Sequence, residues 1–144
     1  MNNRMELSFL AIAENEAFAR MVISAFIVQA DPTMTIVSEV RTAVSEAVTN
    51  AIVHAYDDDG GRVVLRAQMG EDGMLTIDVE DFGCGIADIR QAMQPFFTTQ
   101  PEQERTGIGF ALMQSFMDDV RVYSSPGSGT TVRMTRRIDH AHAG

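Results

Sequence analysis

Glu46, Asn50 and His54 recur at intervals of four residues within a stretch free of Gly and Pro. On an α-helix each such step overshoots a full turn by only about 40°, so the three side chains share one face. A carboxylate beside a carboxamide suits a general base and an oxygen ligand for Mg²⁺. A solvated helix face would carry the same residue types. Asp81 precedes Phe82-Gly83-Cys84-Gly85. Two glycines one residue apart let backbone approach a flat ligand closely, and an Asp at a strand end can accept a hydrogen bond from an exocyclic amine such as that of adenine. An Asx turn closing a strand would read alike. Thr106-Gly107-Ile108-Gly109-Phe110 opens a helix; a Gly-rich loop before a helix N-terminus presents backbone N–H groups and a positive dipole end that favour a phosphate, and Arg105, just upstream, adds charge. An ordinary helix start is the alternative. Gly127-Ser128-Gly129-Thr130-Thr131, taken alone, is a hairpin turn.

These residues need elements to hold them. Met5, Leu7, Phe9 and Ala11 alternate with polar neighbours and predict a half-buried strand. Asn15 is expected to open a helix to about Ala30, with Phe18, Val22, Ala25 and Phe26 on its apolar face. Asp31-Pro32-Thr33 reads as a stop and a restart. The helix that follows, to about Tyr56, carries Val37, Val40, Val44, Ala47, Val48, Ala51 and Ala55 as its apolar stripe, away from Glu46 and Asn50. Strands are expected over Arg62 to Met69 and Met74 to Val79, joined by Gly70-Glu71-Asp72-Gly73. A short helix near Asp88 to Met93 and a polar loop from Gln94 to Thr106 come next; long loops within compact domains are usually functional or mobile. A helix to about Met117 and strands over Val120 to Tyr123 and Thr130 to Arg136 complete the chain, with residues 139–144 as a frayed tail. Helices segregated against a mixed, mostly antiparallel sheet make an α+β two-layer sandwich, with residues 1–138 as a single domain.

Composition narrows the chemistry. The 144 residues are 45% hydrophobic and 22% charged, values of a globular chain long enough to bury about 70% of its unfolded surface. The net charge of −9 argues against binding along a nucleic-acid backbone. Every basic residue counted in that charge is Arg. Without Lys there is no Walker A loop and no pyridoxal Schiff base. Cys84 is the lone cysteine, so no intrachain disulfide can form. The first residues lack an apolar signal region, and Ala17 to Val28, interrupted by Arg20, is too short to span a bilayer. A cytoplasmic location is the expectation.

The order of the motifs is more specific than any one of them. Glu-xxx-Asn-xxx-His, Asp-x-Gly-x-Gly, a Pro-bearing lid, Gly-x-Gly and Gly-Thr resemble the GHKL ATP-binding fold shared by gyrase, histidine kinases and MutL. Phe18-Ala19-Arg20, Asp31-Pro32-Thr33-Met34, Val44 to Ile52, Pro95-Phe96-Phe97-Thr98-Thr99 and Phe116-Met117-Asp118 look like the sporulation anti-sigma-F branch, over about Met5 to Val132. That resemblance implies a protein serine kinase using Mg-ATP. Such a protein holds a sigma factor off RNA polymerase and phosphorylates a serine of its anti-anti-sigma antagonist, a STAS-type protein. It implies Glu46 as the base, Asn50 as the Mg²⁺ ligand and Asp81 as the reader of adenine. It further implies His54, Gly83, Gly85, Thr98, Thr99, Arg105, Thr106, Gly107, Ile108, Gly109 and Thr130 around the nucleotide. Arg20 and Glu104 would meet partners, and the family is homodimeric.

The sequence departs from that branch at Gln100, where Lys is expected, and at Ala55, where Gly is usual. His140 and His142 in the tail are spaced to bind a metal, with a disordered tail as the plainer alternative. A histidine kinase would need a phospho-acceptor helix pair, and a gyrase-type ATPase a second domain with a Lys; neither fits these residues. The rival readings are a general-stress anti-sigma-B kinase and a nucleotide-gated anti-sigma module without kinase activity.

Overall fold

The computed structural model describes residues 2–54, 61–83 and 105–138. The expected helix near Asp88 to Met93, the lid through Glu104 and the tail from Asp139 lie outside the described residues, as do Ala55 and Gln100.

Among the described residues five strands form one sheet: β1 (Asn3–Leu10), β2 (Arg62–Met69), β3 (Met74–Asp81), β4 (Asp119–Ser125) and β5 (Gly129–Arg137). Their order is β1-β2-β3-β5-β4, and every pairing is antiparallel. Among the described residues three helices accompany it: α1 (Glu14–Ile27), α2 (Met34–His54) and α3 (Arg105–Phe116). This is the α+β sandwich expected from the sequence, with a sheet that among the described residues is antiparallel throughout and not mixed.

Strict alternation along β3 produces the two faces of the sheet. Leu75, Ile77, Val79 and Asp81 point inward and are buried, while Met74, Thr76, Asp78 and Glu80 point outward. Leu65 and Val63 of β2 and Val132 and Met134 of β5 extend the inner face. The outer face is polar, and register sets its ion pairs. Glu6 lies opposite Arg66, and Asp78 opposite Arg133, with N···O distances of 3.3 and 2.8 Å.

α2 packs against α1 on one side and α3 on the other. Its predicted stripe is buried from Val37 to Ala51. Thr33 caps it, its hydroxyl oxygen accepting the Ile36 N–H at 3.2 Å. Asp31, in the left-handed region at φ 54°, turns the chain after a single 3₁₀ turn at Val28–Ala30. α3 is tied down at its C-terminal end by Arg136. That guanidinium donates to the Phe116 carbonyl and reaches Glu39 of α2 at 3.5 Å.

Two expectations about α1 need correction. Asn15 does not open the helix; Glu14 does, and the Asn15 amide donates back to the Leu10 carbonyl at 2.9 Å. The buried face is Ala19, Ile23, Phe26 and Ile27, leaving Phe18 47% exposed and Ala25 exposed. α1 is apolar on two faces, so periodicity did not select the one that meets the sheet.

Candidate functional site

Two clusters form on the elements around β3. The first lies between α2 and α3. Gly109, in the second turn of α3, comes so close to α2 that a Cβ there would lie 3.1 Å from Glu46 Oε2 and 3.3 Å from Asn50 Nδ2. The Asn50 side chain has both amide atoms, Nδ2 and Oδ1, buried without a hydrogen-bond partner among the described residues. Burying an amide unpaired costs free energy, so this carboxamide is set up for a ligand. Glu46 and Asn50 share one face of α2, as their spacing predicts. Gly107 and Gly109, expected in a loop before a helix, lie within α3 itself, which begins at Arg105. Gly109 is thus fixed by close helix approach as well as by any demand for backbone N–H groups.

The second cluster joins the end of β3 to the start of β5. Asp81 is buried at 7% exposure, and its Oδ1 accepts the Gly83 N–H at 3.0 Å. Burial raises the carboxyl above its ordinary pKa. Hydrogen bonds from the Gly83 and Thr130 backbones pull it back down, and the charge of Glu80 adds to the rise. Thr130 sits opposite Asp81 in the ladder and is itself buried. Its hydroxyl lies 2.8 Å from Ser124 Oγ, which also donates to the Gly129 carbonyl at 3.1 Å.

Gly129 has φ +90°, and a Cβ there would overlap the Asp81 carbonyl oxygen and sit 2.8 Å from Phe82 Cα. Only glycine permits this approach. The residue types here predict a hairpin turn and give neither Gly129 nor Ser124 a role of its own in the site. The signal available was the Ser-Ser-Pro-Gly-Ser-Gly run itself, which does not reveal what the glycine packs against. Beside the cluster, the Arg62 guanidinium lies over the exposed Phe82 ring at 4.6 Å.

Other predicted residues fall elsewhere. Gly85, Thr98, Thr99 and Glu104 lie outside the described residues, as do the side chains of His54, Arg105, Thr106 and Ile108. Arg20 is on α1, with its Nε 3.7 Å from Glu16. Among the described residues no group of three or more His, Cys, Asp or Glu side chains could hold a metal, and no helix is long and apolar enough to cross a membrane. Asn50 Oδ1 is a buried oxygen donor that could hold a divalent ion whose remaining ligands are phosphates and water. That is the ordinary habit of Mg²⁺, so the buried carboxamide fits the ion.

Comparison with known proteins agrees with this geometry. The family model of the histidine kinase-like ATPase domain matches residues 9–136. The anti-sigma F factor of Caldanaerobacter subterraneus subsp. tengcongensis is 53% identical over 137 residues, 95% of each chain. That of Bacillus subtilis is 47% identical over 144 residues, 99% of this chain and 98% of its own. In fold, the solved RsbU and RsbW domains of a Mycobacterium tuberculosis protein match with a TM-score of 0.71 at 20% identity, over 94% of this chain and 32% of that one. A buried carboxamide under a helix glycine, an aspartate at a strand end and relatives of this similarity lead to one conclusion: the chain belongs to the anti-sigma F factor family, within the histidine kinase-like ATPases.

Proposed function

We propose that the chain is a Mg-ATP-dependent protein serine kinase that captures a sigma factor of the sigma-F type and phosphorylates a serine of its STAS-type antagonist. The observation carrying this reading is the convergence of Glu46, Asn50 and Gly109, with the Asn50 amide buried and without a hydrogen-bond partner among the described residues. Anti-sigma F relatives at 47–53% identity over nearly the whole chain support the sigma partner.

Phosphoryl transfer asks a protein mainly to position groups and to offset charge. Asp81 accepts the adenine amine, and the buried Thr130 hydroxyl, oriented by Ser124, completes the polar edge of the base pocket. Gly83, His54 and the first turn of α3 are assigned to the nucleotide, as are Gly85, Thr98, Thr99 and Arg105 on the resemblance of their motifs alone. Asn50 Oδ1 would hold Mg²⁺, which when bound would supply positive charge to offset that of the phosphates. Glu46 orients the acceptor serine hydroxyl and takes its proton as the serine oxygen bonds to the γ-phosphorus. The bond from that phosphorus to the β–γ bridging oxygen breaks, and ADP leaves with its electron pair. Arg20 and Glu104 address protein partners. A homodimer assembles through α1 and the sheet edge at β1, where Leu10 is 56% and Phe18 47% exposed.

The test mixes the chain, γ-labelled ATP, Mg²⁺ and the STAS-type antagonist, with Glu46→Gln alongside. Label appears on an antagonist serine, and in the variant it falls by about two to four orders of magnitude while ATP still binds. No label from a parent chain that binds ATP and captures the sigma factor would leave a nucleotide-gated binding module instead.

A further inference from the structure

α1 and α2 enclose a groove of about 600 Å³ lined by Arg20, Met21, Ser24, Arg41, Thr42 and Ser45. Glu16 lies one turn before Arg20 on α1, with its side chain only 19% exposed. Its Oε1 accepts the Ser45 hydroxyl of α2 at 2.7 Å. Its Oε2 is buried with no hydrogen bond among the described residues, and 3.7 Å away is Arg20 Nε. A carboxylate this buried and this thinly hydrogen-bonded is an expensive way to join two helices. A neutral side chain would serve packing alone. What the charge adds is a hold on Arg20.

That hold has a definite geometry. The anchor comes from α2, so the carboxylate is placed by helix packing and not by α1 alone. The guanidinium turns its Nε edge toward Glu16. Its two terminal nitrogens then remain for a second carboxylate, the fork geometry in which arginine binds such groups well. The Arg20 side chain is 43% exposed, enough to meet a partner from solvent.

We propose that Glu16, anchored by Ser45, is a positioning residue that presents Arg20 at the groove to a carboxylate of the captured protein. This rests on the reading of Arg20 as a partner contact. A guanidinium already ordered loses less rotamer freedom on binding, which is worth about threefold to tenfold in affinity.

The experiment is a binding titration of the full-length chain with a sigma-F-type sigma factor in the presence of Mg-ATP. The variants are Glu16→Gln, Ser45→Ala, Arg20→Ala and the Glu16→Gln/Arg20→Ala pair. Glu16→Gln removes the charge but keeps an acceptor for Ser45; Ser45→Ala keeps the charge but frees it. Each weakens capture about threefold to tenfold with ATP affinity unchanged, Arg20→Ala weakens it further, and the pair is no weaker than Arg20→Ala alone. Parental or tighter capture by both Glu16→Gln and Ser45→Ala overturns the proposal, as does a Glu16 effect of full size in the Arg20→Ala background. Parental capture by Arg20→Ala removes the partner reading as well. The two failures are thus told apart.

Discussion

Asp81 carries its charge where charge is penalised. Its pKa is raised by burial, against the pull of two backbone N–H groups. The native state therefore holds this proton more tightly than the unfolded chain does. Stability from this group declines as pH climbs from the ordinary carboxylate value through the raised one, and the penalty is complete above it. In the proposed function an adenine amine donating to the ionised carboxylate would offset that penalty, so nucleotide binding and deprotonation would favour each other. ADP affinity, measured by calorimetry, is expected to weaken on acidification from a higher pH than an exposed aspartate would produce. Asp81→Asn should flatten that dependence, weaken ADP about tenfold or more and leave the melting temperature at pH 7 equal or higher. A steep pH dependence surviving in the variant would assign the titration to another group. Asp81 and Asn50 were both legible as residue types at their spacing. Their burial was not, because it depends on β5 and α3, which lie far along the chain.

At the scale of elements, two glycines have different jobs. Gly109 lies in a helix, where alanine would raise helix propensity by about 1 kcal/mol. The added Cβ would press on Glu46 and Asn50, its nearest neighbours. Gly109→Ala should therefore fold normally, with an unchanged or higher melting temperature, and lose phosphoryl transfer by about tenfold or more. Gly129→Ala has no such freedom: its φ is +90° and its Cβ would overlap the β3 backbone beside Asp81. That change should cost roughly 2–4 kcal/mol in denaturant unfolding and remove nucleotide binding together with the stability. A stable Gly129→Ala chain that still binds ADP would show that β3 and β5 can separate at this end without loss of the site. The strands, their hairpin at Gly70 to Gly73 and the long α2 followed from alternation and helical spacing. The face of α1 did not, since Phe18 and Phe26 satisfy the same periodicity and only Phe26 reaches the core.

For the whole molecule, the proposed function links a nucleotide at the α2–α3 junction to a partner at α1. α2 touches both neighbouring helices and carries Glu46 toward one and Ser45 toward the other. A ligand shifts a protein between states only by binding them unequally. Sigma capture is expected to be at least about fivefold tighter with Mg-ATP than with Mg-ADP, measured by titration under both nucleotides. Equal affinities would detach capture from the nucleotide site.

The sequence by itself determined the α+β class, the helix that aligns Glu46 with Asn50, and the family. Those rest on local periodicity and on motif order, which survive in one dimension. Tertiary structure alone decided which α1 face is buried, that Gly109 packs against the Asn50 carboxamide, that Gly129 must clear the end of β3, and that Glu16 meets Ser45. Each of these joins residues distant in the chain, and contact across such distances is set by how the helices and strands pack.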